Sequence, residues 1–267
     1  MATLSQGAVR PGPAAAAPTV DIGPLVDEGR WTGYQKLVLV MAALAVVLDG
    51  FDNQVLGFAL PALTKEWNVS RAAFAPIFAM GFVGMTLGTM VGGWCGDRVG
   101  RRLSLIGAVV LFALATGATA FTNDVFALGV CRTIAGFGLG ATMPNATTLL
   151  AEYSPVQRRS MAVTLGIVCI PLGGIIGGFL AARILPEVGW RALFVIGGIA
   201  PLVVAAILLA ALPESPRYLA RHPQRSRELA AILRRMGREA ADDARFVDSR
   251  ERQDVPRASV GALFAPD

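Results

Sequence analysis

Apolar residues run through this chain in six unbroken stretches, and they do not alternate with polar ones. Read by length, the stretches predict spans at about 37–60, 74–94, 103–121, 126–150, 160–183 and 191–212. Each is close to the roughly 20 apolar residues that a helix needs to cross a bilayer core. Only helices and closed barrels satisfy the peptide groups inside lipid, and barrel strands would show a two-residue alternation. The pattern therefore predicts an all-α membrane protein, a six-helix transmembrane bundle. Turn or charge signals stand between the stretches, from Pro61 to Ser70, Gly96 to Arg102, Thr122 to Asp124, Ser154 to Arg159 and Pro186 to Trp190.

Composition agrees. Of 267 residues, 54% are hydrophobic and 16% charged, too little polar surface to coat a soluble domain of this size. A net charge of +5 invites a nucleic-acid reading, but the basic residues collect in loops on one side of the expected membrane, so no nucleic-acid partner is expected. Cys95, Cys131 and Cys169 lack paired spacing, which points to neither a disulfide framework nor a metal site. No cofactor motif appears. Residues 1–36, rich in Ala, Pro and Gly, read as a disordered tail without a cleavable signal. Residues 37–212 form the bundle, and 213–267 read as a charged linker in which residues 225–238 could form a solvated surface helix.

Basic residues also orient the chain. One side collects Arg10, Arg30, Lys36, Arg98, Arg101, Arg102, Arg158, Arg159 and the tail from Arg217 onward. The other holds Lys65, Arg71, Arg183 and Arg191. This bias puts both termini in the cytoplasm of a multi-pass protein of the plasma (inner) membrane.

Three charges fall where lipid should forbid them. Asp49 and Asp52 lie in the first span, and a mid-helix acid costs about 2.5–3.5 kcal/mol on insertion scales. At i and i+3 they share one helical face, with Asn53 beside them. That face must line a polar cavity or meet a cation, either as a proton or substrate site or as a structural contact. Arg132, well inside the fourth span, offers a rigid fork of donors suited to a carboxylate. It could bind an anionic substrate, pair with Asp49 or Asp52, or alternate between them; a structural or snorkelling arginine is the other reading. Gly84, Gly88, Gly92, Gly173, Gly174, Gly177 and Gly178 recur at helical spacing and predict close helix packing. Gly57 with Pro61, and Gly140 with Pro144, echo each other as an inverted three-plus-three repeat would.

Between the second and third spans stands Gly93-Trp94-Cys95-Gly96-Asp97-Arg98-Val99-Gly100-Arg101-Arg102. This resembles the signature loop of the major facilitator superfamily. Arg132 with Gly136 and Gly138, Glu152 with Arg158 and Arg159, and Pro213-Glu214-Ser215-Pro216-Arg217 resemble further motifs of that superfamily. Asp49-Gly50-Phe51-Asp52, followed by Gly57 and Pro61, is similar to the first-span signature of its aromatic acid:proton symporters, as are Gly138-Leu139-Gly140 and Ala151-Glu152-Tyr153-Ser154-Pro155. Ile170-Pro171-Leu172-Gly173-Gly174 is one residue short of an antiporter motif, which favours symport.

The resemblance implies the N-terminal half of a twelve-helix fold and proton-coupled uptake of an aromatic carboxylate by alternating access, not an enzyme. It implies proton coupling at Asp49 and Asp52 and a substrate carboxylate near Arg132. Asn53, Gln54, Met143 and Asn145 are candidate cavity-lining residues. The implied cytoplasmic gate comprises Gly93, Asp97, Arg98, Gly100, Arg101, Arg102, Glu152, Arg158, Arg159, Glu214 and Arg217. Family members carry twelve spans, so this half is expected to be a fragment or to need a C-terminal six-helix partner; Val260 to Phe264 resembles the approach to a seventh span. A porter for a sugar or other organic anion, and a truncated non-transporting fragment, are the alternatives.

Overall fold

The computed structural model describes residues 19–28, 31–239 and 245–248. Six of its helices are long and apolar enough to cross a membrane. These are α2 (Gly33–Trp67), α3 (Ala75–Val99), α4 (Arg101–Thr119), α5 (Val125–Glu152), α6 (Val156–Glu187) and α7 (Trp190–Ala211). Before them come β1 (Thr19–Asp21) and α1 (Ile22–Asp27); after them come α8 (Pro216–Ala220), α9 (Ser226–Arg235) and β2 (Arg245–Val247).

Helix ends follow local chemistry. A capping box between Thr32 and Gln35 starts α2, and Asn68 in a left-handed conformation stops it. Pro61, expected to open a connection, instead lies inside α2, and Pro186 lies inside α6. Proline removes one backbone donor, a loss that membrane helices tolerate because neighbouring groups re-satisfy the backbone.

α3 packs along α5 as α6 packs along α2, while α4 bridges α5 and α7. Exchanging α2–α4 for α5–α7 converts the first pairing into the second, the relation that an inverted three-plus-three repeat requires. Burial repeats in the same way. Ile77, Gly84, Gly88 and Gly92 on α3 are spaced like Gly166, Gly173, Gly177 and Ala181 on α6. A Cβ on Gly84 or Gly88 would collide with the α5 backbone at Thr133 or Phe137, and one on Gly173 with the α2 backbone at Val47. Bare backbone faces thus bring the helices into direct contact. Away from these seams, α3 and α6 keep Phe82, Met90, Ile175 and Phe179 exposed.

Two findings correct the expected tails. Residues 19–28 are not part of a disordered tail: β1 pairs in parallel with β2, and Ile22 and Val26 are buried. Asp21 caps α1 through the Gly23 N–H at 2.9 Å, and the i, i+4 spacing of Ile22 and Val26 gives α1 an apolar face. Residues 1–18 lie outside the described residues. Nor is α9 a solvated linker helix, because Leu229, Leu233 and Met236 bury its apolar face in the same core as Val38, Leu105 and Leu149. Val260 to Phe264 lies outside the described residues.

Candidate functional site

Four helices, α4, α5, α6 and α7, meet α2 around its two buried acids. Asp49 and Asp52 are 3% and 1% exposed, so neither faces lipid. Gly50 lies between them where α2 touches α6; a Cβ there would strike the backbone of Ile170. Arg132 reaches Asp52 from α5, Nη1 to Oδ2 at 3.3 Å. α4 supplies two hydroxyls to the pair. Thr116 Oγ donates to Asp52 Oδ1 at 2.5 Å, and Arg132 Nη2 donates to Thr116 Oγ at 2.8 Å and Thr119 Oγ at 3.0 Å. From α7 the Phe194 ring lies 5.2 Å from the guanidinium carbon.

Two groups in this cluster remain unspent. Asp49 makes no hydrogen bond or ion pair among the described residues, and the buried Nε of Arg132 has no hydrogen-bond partner. Beside Asp52 and Arg132 opens a cavity of about 60 Å³ between α2, α3 and α5. Its polar lining is Asp52, Asn53 and Arg132; its apolar walls include Phe78, Phe82, Met85 and Leu139. A polar end that carries a guanidinium and an apolar, partly aromatic wall suits a flat amphipathic anion better than a polyol. Among the described residues no cluster of three or more His, Cys, Asp or Glu is placed to hold a metal.

The other expected lining residues separate. Asn53 does line the cavity. Gln54 is exposed but turns toward α6, where a Cβ on Gly174 would stand 3.2 Å from its Cγ. Asn145 is fully buried at the seam with α3 and donates to Gly92 O at 3.0 Å and Ala141 O at 2.8 Å, so it serves helix packing instead of the cavity. The thirteen residues from Arg132 to Asn145 turn the helix by about 220° beyond full turns, which puts the two on different faces. Met143 shares the face of Arg132 but stands about 16 Å along the axis. It packs, half-buried, against the core and away from this cavity.

Residues expected to form the gate meet in a second cluster at the other end of α4 from Thr116 and Thr119. Gly100 adopts φ +108°, and a Cβ there would collide with the Glu214 carboxylate. That carboxylate accepts from the backbone N–H groups of Arg102 at 3.0 Å and Ser215 at 2.9 Å, so an anion sits on the uncapped start of α4. Arg101 pairs with Asp97 and reaches Gly93 O at 3.4 Å, and Arg102 binds Leu209 O at 2.5 Å. Ser215 donates its hydroxyl to Glu152 and caps α8 through Tyr218 N. Tyr153 donates to Glu214 O at 2.6 Å. Burial, with Tyr34 and the acids Glu214 and Glu152 nearby, holds its phenol well above the ordinary range, so it stays a donor. Arg98 lies over the Trp94 ring at 4.3 Å.

Glu152, Arg158 and Arg159 do not act as one unit. Arg158 lies over Trp31 at 5.8 Å, while Arg159 binds Ala151 O and the carboxylate of Asp27. Arg217 joins Asp27 at 3.4 Å and Asp248 at 3.1 Å. Asp27 was missed in the sequence, as were Thr116 and Thr119. The three-residue spacing of two threonines in an otherwise apolar span was the only available signal for the latter pair.

Comparison with known proteins gives a consistent result. The profile of the Major Facilitator Superfamily matches residues 42–258. The gallate transporter of Pseudomonas putida is 40% identical over 230 residues, 86% of this chain and 51% of that protein. The 4-hydroxybenzoate transporter PcaK of Pseudomonas aeruginosa is 38% identical over 249 residues, 93% of this chain and 56% of that one. The xylose transporter XylE from E. coli, in a partially occluded inward-open conformation, superposes with a TM-score of 0.67 at 25% identity, covering 78% of this chain and 54% of that one. The chain spans about half the length of the curated relatives it matches.

Proposed function

We propose, from the premise that this chain belongs to the Major Facilitator Superfamily, a family of transporters and not of enzymes, that it forms the substrate- and proton-binding half of an aromatic-acid importer. Protons bind at Asp49 or Asp52, and the substrate carboxylate is received by Arg132, with Asn53 beside it and the ring against the wall formed by Phe78 and Phe82. The single observation that carries this reading is Arg132, paired to a buried acid and lining a cavity with apolar walls. The names of the gallate and 4-hydroxybenzoate transporters support the substrate class, and the solved proton:xylose symporter supports proton coupling.

Transport proceeds by alternating access. Neutralising Asp52 weakens its hold on Arg132, which frees the fork for a carboxylate; loss of the proton restores the pair and expels the substrate. The basic end faces the cytoplasm by the positive-inside bias, in the inner membrane, and its Glu214, Arg102 and Asp27 contacts act as the gate. A second six-helix half, reached through the segment after Leu212, closes the other side of the cavity.

The likeness to xylose transporters favours a second reading, a sugar porter. A polyol needs many hydrogen-bonding groups, however, and the cavity offers three polar residues.

The test joins this chain to the second half of the gallate transporter and measures uptake of labelled 4-hydroxybenzoate, gallate and xylose. Uptake of the aromatic acids, abolished by a protonophore, is expected. Uptake of xylose alone, or uptake indifferent to the protonophore, refutes the reading.

A further inference from the structure

The ion pair of Asp52 and Arg132 has an intermediary with no assigned role. Thr116 is fully buried on α4, and one hydroxyl serves both partners, donating to Asp52 at 2.5 Å and accepting from Arg132 at 2.8 Å. Each step is shorter than the direct contact of 3.3 Å. Thr119 differs, because its own proton goes to Ala115 O at 3.0 Å and toward Arg132 it only accepts. α7 comes close to the Thr116 methyl at Gly197, where an added Cβ would stand 3.0 Å away. With the methyl held, the side chain keeps its rotamer, and only the hydroxyl proton can turn.

The surroundings of Asp52 are few. Asp49 is on its own helix, Arg132 arrives from α5, Thr116 and Thr119 from α4 and Phe194 from α7. The charged residues of α3, α6 and α7 sit at or near the ends of those helices.

We propose that Thr116 is a positioning residue that makes protonation of Asp52 felt at Arg132. This rests on the reading of Asp52 as a proton site. While Asp52 is a carboxylate, the chain from Arg132 through the hydroxyl to Asp52 runs in one direction, and each link polarises the next. When Asp52 takes up a proton, that oxygen becomes a donor. Thr116 then accepts from it, and its own proton must turn away from Asp52. Two donors now converge on one oxygen, the polarised chain is broken, and Arg132 is held less firmly.

The test follows the carboxylic-acid infrared band of Asp52 against pH in the inserted full chain, with the band assigned by its loss in Asp52→Asn. Thr116→Val removes a donor from the carboxylate and should move the half-height of the band to higher pH by about one to two units, a 10- to 100-fold change in proton affinity. Thr116→Ala should do the same, and serves if the valine chain does not insert. Thr116→Ser restores the hydroxyl and should return the half-height to the wild-type position. An unchanged half-height in Val and Ala, or an equal displacement in Ser, overturns the role of Thr116 alone. A wild-type band that does not titrate overturns Asp52 as the proton site and this inference with it.

Discussion

Glu214 stands against Gly100 so closely that a single added methyl at the glycine would occupy the space of the carboxylate. The contact joins the segment after α7 to the start of α4, and it depends on a backbone that only glycine adopts easily. Gly100→Ala therefore meets two penalties, a φ of +108° and the collision. A strained residue of this kind costs about 1–3 kcal/mol, and a lower midpoint of unfolding in detergent is the expected result. Glu214→Gln keeps the shape but weakens the charge at the helix start, so a smaller loss is expected, about 0.3–1 kcal/mol.

Arg132→Leu strands Asp52 in the bundle interior. Breaking a buried pair costs about 3–5 kcal/mol. In denaturant titrations of the inserted chain, the double change Arg132→Leu with Asp52→Leu should recover part of that loss. No recovery would mean the pair is not coupled.

Two glycines of α3 should behave oppositely. Gly88→Ala drives a methyl into the backbone of Phe137 and should prevent α3 from closing on α5. Gly93→Ala meets nothing within 4 Å and should be neutral or stabilising by about 0.5–1 kcal/mol through helix propensity. Thermal melting of the two variants separates packing from propensity.

At the basic end, Asp27→Ala removes the anion that Arg159 and Arg217 share. Amide exchange over residues 22–27 should rise while exchange in the middle of α5 stays unchanged. Unaltered protection of α1 would mean that Ile22 and Val26 hold it without the charges.

The uneven legibility of the sequence has physical causes. Asp49, Asp52 and Arg132 stood out because charge inside an apolar run is costly and must be answered by another group. Thr116 and Thr119 were silent, since a threonine in a membrane helix usually satisfies itself on its own backbone. Asn145 misled because its polarity suggested a cavity while its helical phase turned it toward Gly92. The docking of α1 escaped notice because one short apolar pair, Ile22 and Val26, is weak beside six long spans, and its partner strand lies more than two hundred residues away.

The most direct measurement is proton-driven uptake of labelled 4-hydroxybenzoate by the joined chain carrying Asp49→Asn, Arg132→Lys or neither. The parent should accumulate the acid under an inward proton gradient. Asp49→Asn should abolish accumulation while the protein remains in the membrane, and Arg132→Lys should fall well short of the parent because an ammonium cannot reproduce the fork. Full accumulation in either variant, or none in a parent that is correctly inserted, would contradict proton-coupled uptake through Asp49 and Arg132.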